Sequence, residues 1–267
     1  MLIKKKECIE EDIQKLTDLL SQDFSLHQKF LIERELRVLQ SPLTGQPNST
    51  HFLEFYFKDN RDWALIHDLR IENNGCAAHF DHILINRALK FFVLESKNFT
   101  YGIKITGDGE FLIHDGNRYQ LIHSPFDENR KKVEVLESVL GENEIIPKKM
   151  GIAVKPKIES YMLLSPRSVV ERPPRSVFDS SMVITGDVLI KMLKKQTKRA
   201  KRIFKKFVGA SNEIKKDPLL WIACQLSSLH KPIKEDYEQK FGIVNTPPPA
   251  SVDTCNLDSN STNDYCI

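Results

Sequence analysis

The sequence has few cysteines and no long apolar run. Its five cysteines are scattered, odd in number and without Cys-x-x-Cys spacing, which excludes a disulfide framework and predicts free thiols and no zinc site. No stretch reaches the ~18 apolar residues of a membrane-spanning helix, and the first residues lack the apolar segment of a secretory signal. These absences predict a soluble cytoplasmic protein with no membrane partner.

Positive charge is concentrated in one segment, although the net charge of the chain is only +3. Nine lysines and arginines and no acidic residue occur from Lys191 to Lys206, whereas the rest of the chain holds 30 basic and 36 acidic residues. Apolar spacing over residues 186–207 predicts a helix with these basic residues on its outer surface. That surface suits either nucleic-acid phosphates or plain solvation, and the sequence favours neither reading over the other. The predicted phosphate contacts are Lys194, Lys195, Lys198, Arg199, Lys201, Arg202 and Lys205.

The stretch from His79 to Asn98 is predicted to form a β-hairpin. Both arms are filled with apolar, β-branched or aromatic residues, which is the composition of strands buried on at least one face. If the turn centres near Ala88, Ile85 lies opposite Phe91, and every other apolar residue of the first arm also obtains an apolar partner. The register of the hairpin therefore follows from the apolar pattern alone.

The same register places two carboxylates, Asp81 and Glu95, opposite each other. Directly opposed residues on antiparallel strands have Cβ atoms ~4.5–5.5 Å apart, and like charges at that distance destabilise a sheet. Either one carboxyl group is protonated, or a hard cation such as Mg²⁺ takes oxygen ligands from both. Because side chains two residues apart on a strand share a face, Lys97 adds an ammonium group beside Glu95.

The rest of the chain predicts a layered α/β fold around this hairpin. Residues 1–40 have the spacing of two amphipathic helices, a strand precedes the hairpin, and a β-meander and a helix opened by Pro125 follow it. His67, in the preceding strand, is a metal ligand by type, but a structural role is more common for a lone strand histidine. We divide the chain into a helical extension (1–40), a central domain (41–156), a carboxy-terminal α/β extension with the basic helix (157–244) and a disordered tail (245–267).

The hairpin motifs resemble those of a known family. Asp-His-x-x-x-Asn begins at Asp81 and Val-Leu-Glu-Ser-Lys-Asn-Phe begins at Val93, and with Trp63–Arg70 they resemble the nuclease-related domain (NERD) family of bacteria. That family is in turn similar to the restriction-endonuclease-like PD-(D/E)xK superfamily. The resemblance implies a restriction-endonuclease-like mixed β-sheet flanked by helices.

The resemblance also implies roles for individual residues. Asp81 and Glu95 match the acids that hold Mg²⁺ (or Mn²⁺), and Lys97 matches the lysine that acts at the attacking water or the phosphate. Relatives carry a further acidic residue where this chain has Gln46, a neutral ligand that should weaken metal binding. Many relatives also end in a cysteine-rich zinc ribbon, which this chain lacks.

Three functions follow as hypotheses. The first is a Mg²⁺-dependent nuclease that hydrolyses phosphodiester bonds, with DNA as the expected partner and Asp81, Glu95, Lys97 and Gln46 at the site. The second is a nucleic-acid-binding module of the same fold whose chemistry is impaired by Gln46. The third is a structural or protein-interaction domain, which predicts no affinity for nucleic acid even at low salt.

Overall fold

The fold is described by a computed structural model. It describes residues 1–7, 9–40, 49–99, 101–143, 145–146, 148–149, 152–153, 156–166, 168–196, 217–232 and 235–243. The strands are β1 (Leu2–Lys4), β2 (Trp63–Asn73), β3 (Cys76–Asn86), β4 (Lys90–Lys97), β5 (Ile103–Ile105), β6 (Phe111–His114), β7 (Tyr119–Ile122), β8 (Lys148–Lys149), β9 (Ile152–Ala153), β10 (Lys157–Leu164), β11 (Val170–Glu171) and β12 (Val183–Thr185). The helices are α1 (Glu10–Leu20), α2 (Leu26–Gln40), α3 (Ser49–Phe57), α4 (Pro125–Glu142), α5 (186–196 in the described chain), α6 (Pro218–Ser228) and α7 (Tyr237–Lys240).

A six-stranded mixed sheet forms the centre of the fold, in the order β1-β2-β3-β4-β10-β12. Strands β2, β3 and β4 are antiparallel, whereas β1, β10 and β12 each join in parallel. Between β4 and β10 the chain leaves the sheet and forms β5–β7 and α4 before it returns. This long crossover is the connection that parallel neighbours require.

Helices cover both faces of the central sheet. On one face, α4 and α6 pack on a buried cluster that includes Ile83, Ile85, Phe91 and Val93. On the other face, α3 and α5 pack on Leu65, Leu84, Phe92 and Leu94. Successive residues of β4 alternate between the two clusters because side chains of a strand point to opposite faces. Burial on both faces explains why the sequences of β3 and β4 are continuously apolar rather than alternating between apolar and polar residues.

Two smaller units flank this sheet. Strands β11, β5, β6 and β7 form a four-stranded sheet whose inner face packs on β10 and β12. Helices α1, α2 and α7 share a separate apolar cluster.

The structure confirms the predicted fold class, a mixed sheet flanked by helices, and the two helices predicted within residues 1–40. The central sheet takes β1 from the first predicted segment and β10 and β12 from the third, and the domain division stays a prediction. The tail predicted to be disordered lies outside the described residues. Cys76 and Cys224 are free and exposed. Within the described ranges, no helix is long and apolar enough to cross a membrane.

Candidate active site

The hairpin of β3 and β4 has the register that the apolar pattern predicts. Ile85 pairs with Phe91 and Ile83 with Val93. The turn is closed by the Asn86 side chain, whose Oδ1 accepts hydrogen bonds from the main-chain N–H groups of Ala88 (2.9 Å) and Lys90 (3.2 Å). The apolar pairs therefore fix the register, and a buried amide stabilises the turn.

The ladder between β3 and β4 stops one step before the two carboxylates. Its last pair is His82 with Leu94, so Asp81 and Glu95 occupy the next position, where the strands have separated. There the main-chain N–H of Ser96 donates to Oδ2 of Asp81 at 2.8 Å. A carboxylate thus takes the place of the next main-chain partner, and this hydrogen bond orients Asp81 beside the end of β4.

Glu95 is a buried carboxylate with one occupied oxygen. Its side chain is 4% exposed, and Nζ of Lys132 on α4 lies 2.5 Å from Oε2. Its Oε1 is buried and has no hydrogen-bond partner. Burial and then the nearby Asp81 carboxylate raise the pKa of Glu95, while the Lys132 ammonium opposes both effects. The Lys132 ammonium therefore compensates only part of the negative charge of the buried Glu95 and the half-buried Asp81.

Lys97 lies on the same face as Glu95, as strand alternation predicts. Its Nζ is 3.8 Å from Oε2 of Glu128, which lies one helical turn before Lys132 on α4. The two residues of β4 thus face two residues of α4 in crossed pairs of opposite charge. Lys97 and Glu128 are 37% and 44% exposed, so this second pair is screened by water and leaves the Lys97 ammonium accessible.

A strained residue in β2, Asp68, adds a third acid near the site. Asp68 has a φ of +53°, in the left-handed region, and lies between the paired positions His67 and Leu69. Its Oδ1 is 2.5 Å from Nε2 of His79, and Nδ1 of His79 is 3.8 Å from Oδ1 of Asp81. The hydrogen bond to His79 holds the pKa of Asp68 well below its usual range and raises the pKa of His79. The raised pKa favours the positively charged form of the His79 imidazole, which faces Asp81.

Two buried histidines lie on the opposite face of the sheet, beneath α3. The Nδ1 atoms of His67 and His82 are 2.7 Å apart, so one proton lies between them. Nε2 of His82 is 2.9 Å from the hydroxyl of Ser96 and 3.2 Å from that of Ser49, and the two hydroxyls are 2.6 Å apart. This network ties the first residue of α3 to the β4 residue between Glu95 and Lys97.

The tautomers of the two histidines follow from their neighbours. Nε2 of His67 has no hydrogen-bond partner, but Oε1 of Glu54 lies 3.7 Å away. A proton on that nitrogen faces the carboxylate favourably, which leaves Nδ1 of His67 to accept from His82 and Nε2 of His82 to accept from a serine hydroxyl. His67 is therefore a member of a polar network.

The buried pair of His67 and His82 should make the stability of the folded protein fall at acidic pH. Burial lowers the pKa of His67 to about 4 and, with the adjacent His67, lowers the pKa of His82 well below its usual value. Because the unfolded chain binds these protons from about pH 6.5 and the folded chain does not, stability should fall as the pH drops from 6.5 towards 4. At pH 5 the His67 effect alone should be about 2 kcal/mol in the free energy of unfolding.

Urea unfolding between pH 4 and pH 8 measures this effect. A His67→Phe/His82→Phe variant should lose that part of the pH slope, because it lacks both imidazoles. Its Ser49 and Ser96 hydroxyls can still hydrogen-bond each other. The Asp68 and His79 pair is kept in both proteins and cancels in the comparison. Equal slopes in the two proteins would show that the pair is not responsible.

The donor set of the site fits a hard divalent cation. Mg²⁺ is typically held by one or two carboxylates, with waters and substrate phosphates as its other ligands. Asp81 and the partnerless oxygen of Glu95 provide two such carboxylates. Across the described ranges, no cluster of three or more His, Cys, Asp or Glu side chains could enclose an ion. Two carboxylates suit an ion that completes its coordination shell with water and substrate oxygens.

The other predicted site residues have different outcomes. Gln46 precedes α3 by three residues and lies outside the described chain, as do Lys198, Arg199, Lys201, Arg202 and Lys205. Lys194 and Lys195 are exposed on α5.

Sequence reasoning missed the contribution of α4. The buried residues Pro125, Asn129, Leu136 and Leu140 recur at helical spacing, and Lys132 falls three residues after Asn129 and four before Leu136. A lysine within the stripe that faces the sheet is unusual, because lysine is rarely buried without a partner. The position of Lys132 on the buried face of α4 is the sequence feature that could have indicated a buried acid opposite this helix.

Together these features define a mixed α/β domain with an acid pair and two lysines where two central strands separate. Residues 45–165, which extend from before α3 to the end of β10, match the family model of the nuclease-related domain (NERD). The match contains Asp81, Glu95, Lys97 and Lys132, and it supports the family resemblance over this span. Comparisons with curated proteins and with solved structures gave no significant match.

Proposed function

We propose that this protein is a Mg²⁺-dependent nuclease of the PD-(D/E)xK kind that hydrolyses phosphodiester bonds in nucleic acid, with DNA as the expected substrate, in the bacterial cytoplasm. The observation that carries the proposal is the acid pair. Asp81 and Glu95 occupy the position directly after the last pair of the β3–β4 ladder, and Oε1 of Glu95 is buried without a hydrogen-bond partner. The pair lies within the segment that matches the nuclease-related domain.

Each residue has a separate task in this proposal. Asp81, oriented by the N–H of Ser96, and Glu95 would hold the cation, with the Gln46 amide as a weak further ligand. Bound Mg²⁺ supplies Lewis-acid stabilisation of charge at the phosphoryl group. The Lys97 ammonium, only loosely paired with Glu128, is free to face the phosphate and stabilise charge that develops during attack by water. Hydrolysis forms a bond from water oxygen to phosphorus and breaks the bond to one sugar oxygen.

The test is cleavage of labelled DNA and RNA, single-stranded and double-stranded, by the purified protein with Mg²⁺ or Mn²⁺. Cleavage should require the added ion, stop with a chelator and be lost in Asp81→Ala. Equal cleavage by wild type and Asp81→Ala would assign the activity to a contaminant or to another site.

A second candidate function has its own support. The Lys132 ammonium already partly compensates Glu95, and the position of a further acid in relatives is Gln46 here, so the protein could bind nucleic acid with impaired chemistry. Gln46→Glu distinguishes the two functions. A binding module should gain cleavage of about 10-fold or more from the added charged ligand, whereas a competent nuclease should change little.

A further inference from the structure

The surface formed by α3 and α5 combines an exposed aromatic ring with lysines. Phe55 on α3 is 83% exposed, and no aromatic side chain among the described residues is more exposed. Its ring meets the ring of Tyr56 edge-on, with 5.1 Å between centroids. Nζ of Lys194 on α5 lies 5.9 Å from the centroid of Tyr56. Phe55, Tyr56 and Lys194 therefore form one continuous surface, which we call the α3–α5 surface.

The two helices that form this surface are firmly packed on each other. A Cβ atom at Gly186, where α5 begins, would lie 2.6 Å from the Phe52 ring of α3. Leu53 of α3 and Leu193 of α5 belong to the same buried cluster. Because only glycine allows this approach, the spacing between Phe55 and the α5 lysines is set by the core of the domain.

The charge on this surface is complementary to a polyanion. Lys191, Lys194 and Lys195 are exposed on α5, and Lys58, in the turn directly after α3, is exposed three residues after Phe55. Asp187, at the start of α5, is the acidic residue of its described part. Nucleic-acid phosphates are the ligand that such a surface suits best.

The exposed ring specifies the form of that nucleic acid. Aromatic side chains on basic surfaces stack with bases irrespective of sequence, but a base within a duplex has both faces covered by its neighbours. A duplex could contact the lysines through its phosphates, but it would offer no free base face to Phe55. Phe55 can therefore stack only on the bases of a substrate in which those bases are unpaired.

The start of α3 lies against the strand that carries the candidate active site, on the opposite face of the central sheet. The hydroxyl of Ser49, the first residue of α3, is 2.6 Å from that of Ser96, which separates Glu95 from Lys97. Phe55 follows Ser49 by six residues, so the helical rise puts it about 9 Å further along the axis.

We propose that the α3–α5 surface binds unpaired nucleotides, with Phe55 as a base-stacking residue, and that the substrate of the candidate active site on the other face of the sheet is single-stranded nucleic acid or a duplex with a single-stranded end. This inference rests on the proposed function, because it assigns a substrate form to the same site. It adds a base-stacking residue to the phosphate contacts that the basic helix predicts.

Fluorescence anisotropy with a labelled 12-nucleotide dT strand and a matched 12-base-pair duplex tests the proposal, with full-length protein in a chelator to prevent cleavage. Phe55→Ala should weaken binding of the single strand about 5-fold to 150-fold and leave duplex binding within 2-fold. Phe55→Trp should keep the affinity and show quenching of tryptophan emission by the strand. Lys194→Ala should weaken both ligands alike and reduce the salt slope by about one, whereas Phe55→Ala should leave the slope unchanged.

Phe30→Ala is the matched control, because Phe30 on α2 is also an exposed phenylalanine and lies outside this surface. It should leave both affinities unchanged. Thermal unfolding of each variant reports on folding, which an 83% exposed ring should not affect.

The outcomes separate this inference from the function on which it rests. If the wild-type protein cleaves nucleic acid but Phe55→Ala binds the single strand normally, or loses both ligands equally, the inference is wrong and the nuclease proposal stands. If Phe55→Ala instead abolishes a self-association seen by sedimentation without changing strand affinity, the surface belongs to a second copy of the chain and the inference is again wrong. Absence of any nucleic-acid binding by the wild type would overturn both proposals.

Discussion

Glu95→Gln is expected to reduce metal-dependent cleavage about 10²-fold to 10³-fold or more. Glutamine keeps the shape of the buried side chain and removes the charge that holds a cation beside Asp81. Asp81→Asn should have a similar effect, and its cause is easier to assign. An asparagine Oδ1 can still accept the hydrogen bond from the N–H of Ser96, so the local geometry is preserved while the charge is lost.

Single-turnover cleavage over a range of Mg²⁺ concentrations measures these losses. Loss of a ligand should raise the metal concentration at half-maximal rate as well as lower the maximal rate, whereas loss of Lys97 in Lys97→Met should lower the rate alone. Glu137→Gln, the same substitution at an exposed position on α4, is the matched control and should behave as wild type. Retention of wild-type cleavage in both Glu95→Gln and Asp81→Asn would place the chemistry elsewhere.

The hairpin could be predicted from sequence because its information is local. Ile83, Ile85, Phe91 and Val93 must face one buried cluster, and a slip of one residue would move every side chain to the other face. The same argument brought Asp81 and Glu95 together. It also showed that two acids at that point need compensation, and it left protonation and a cation as alternatives.

The contact by which Lys132 compensates the charge of Glu95 could not be derived from the local sequence pattern. Lys132 is 37 residues from Glu95 along the chain and reaches it only because α4 packs across the sheet. Whether α4 or another helix covers that face depends on the crossover between β4 and β10, which local periodicity does not determine. The crossed pairs of Glu95 with Lys132 and Lys97 with Glu128 follow from that packing.

The positive φ of Asp68 in β2 could not be predicted from the sequence either. Ile66 and Leu69 belong to the same buried cluster although they are three residues apart, because Asp68 adopts a positive φ between them. An alternating pattern predicts opposite faces for these two residues. Asp68 keeps this conformation through contacts from distant residues: its carboxylate bonds His79 and the N–H of Glu7, and its carbonyl accepts from Lys4. Strain of this kind persists where surrounding contacts determine it.

Lys132→Met is expected to destabilise the protein by about 2–3 kcal/mol. Removing one partner of a fully buried ion pair costs ~3–5 kcal/mol because the other charge is left uncompensated, and Lys132 is partly exposed, so water recovers some of that cost. Methionine keeps the helix propensity and most of the side-chain volume. Lys131→Met, at the exposed neighbouring position of α4, is the matched control and should change stability by less than about 0.5 kcal/mol.

A double-mutant cycle with Glu95→Gln isolates the pair. The double variant Glu95→Gln/Lys132→Met should be more stable than Lys132→Met alone, because no buried charge is left. Burial and Asp81 raise the pKa of Glu95, so the folded state takes up a proton more readily than the unfolded state does. The deficit of Lys132→Met should therefore shrink as the pH falls towards 4.5, the ordinary value for glutamate. A deficit independent of both pH and Glu95 would mean that Lys132 acts through packing alone.

The same variant tests whether Glu95 binds a cation, independently of catalysis. In the wild type, Mg²⁺ and the Lys132 ammonium compete for the negative charge of one carboxylate, whereas in Lys132→Met the ion meets no such competitor. Because a ligand that binds only the folded state stabilises it more the tighter it binds, Mg²⁺ should raise the free energy of unfolding more in Lys132→Met than in the wild type. It should raise it least in the double variant with Glu95→Gln. Equal stabilisation of all three proteins would exclude Glu95 as a ligand, and the role of Lys132 would then be to compensate a buried structural acid.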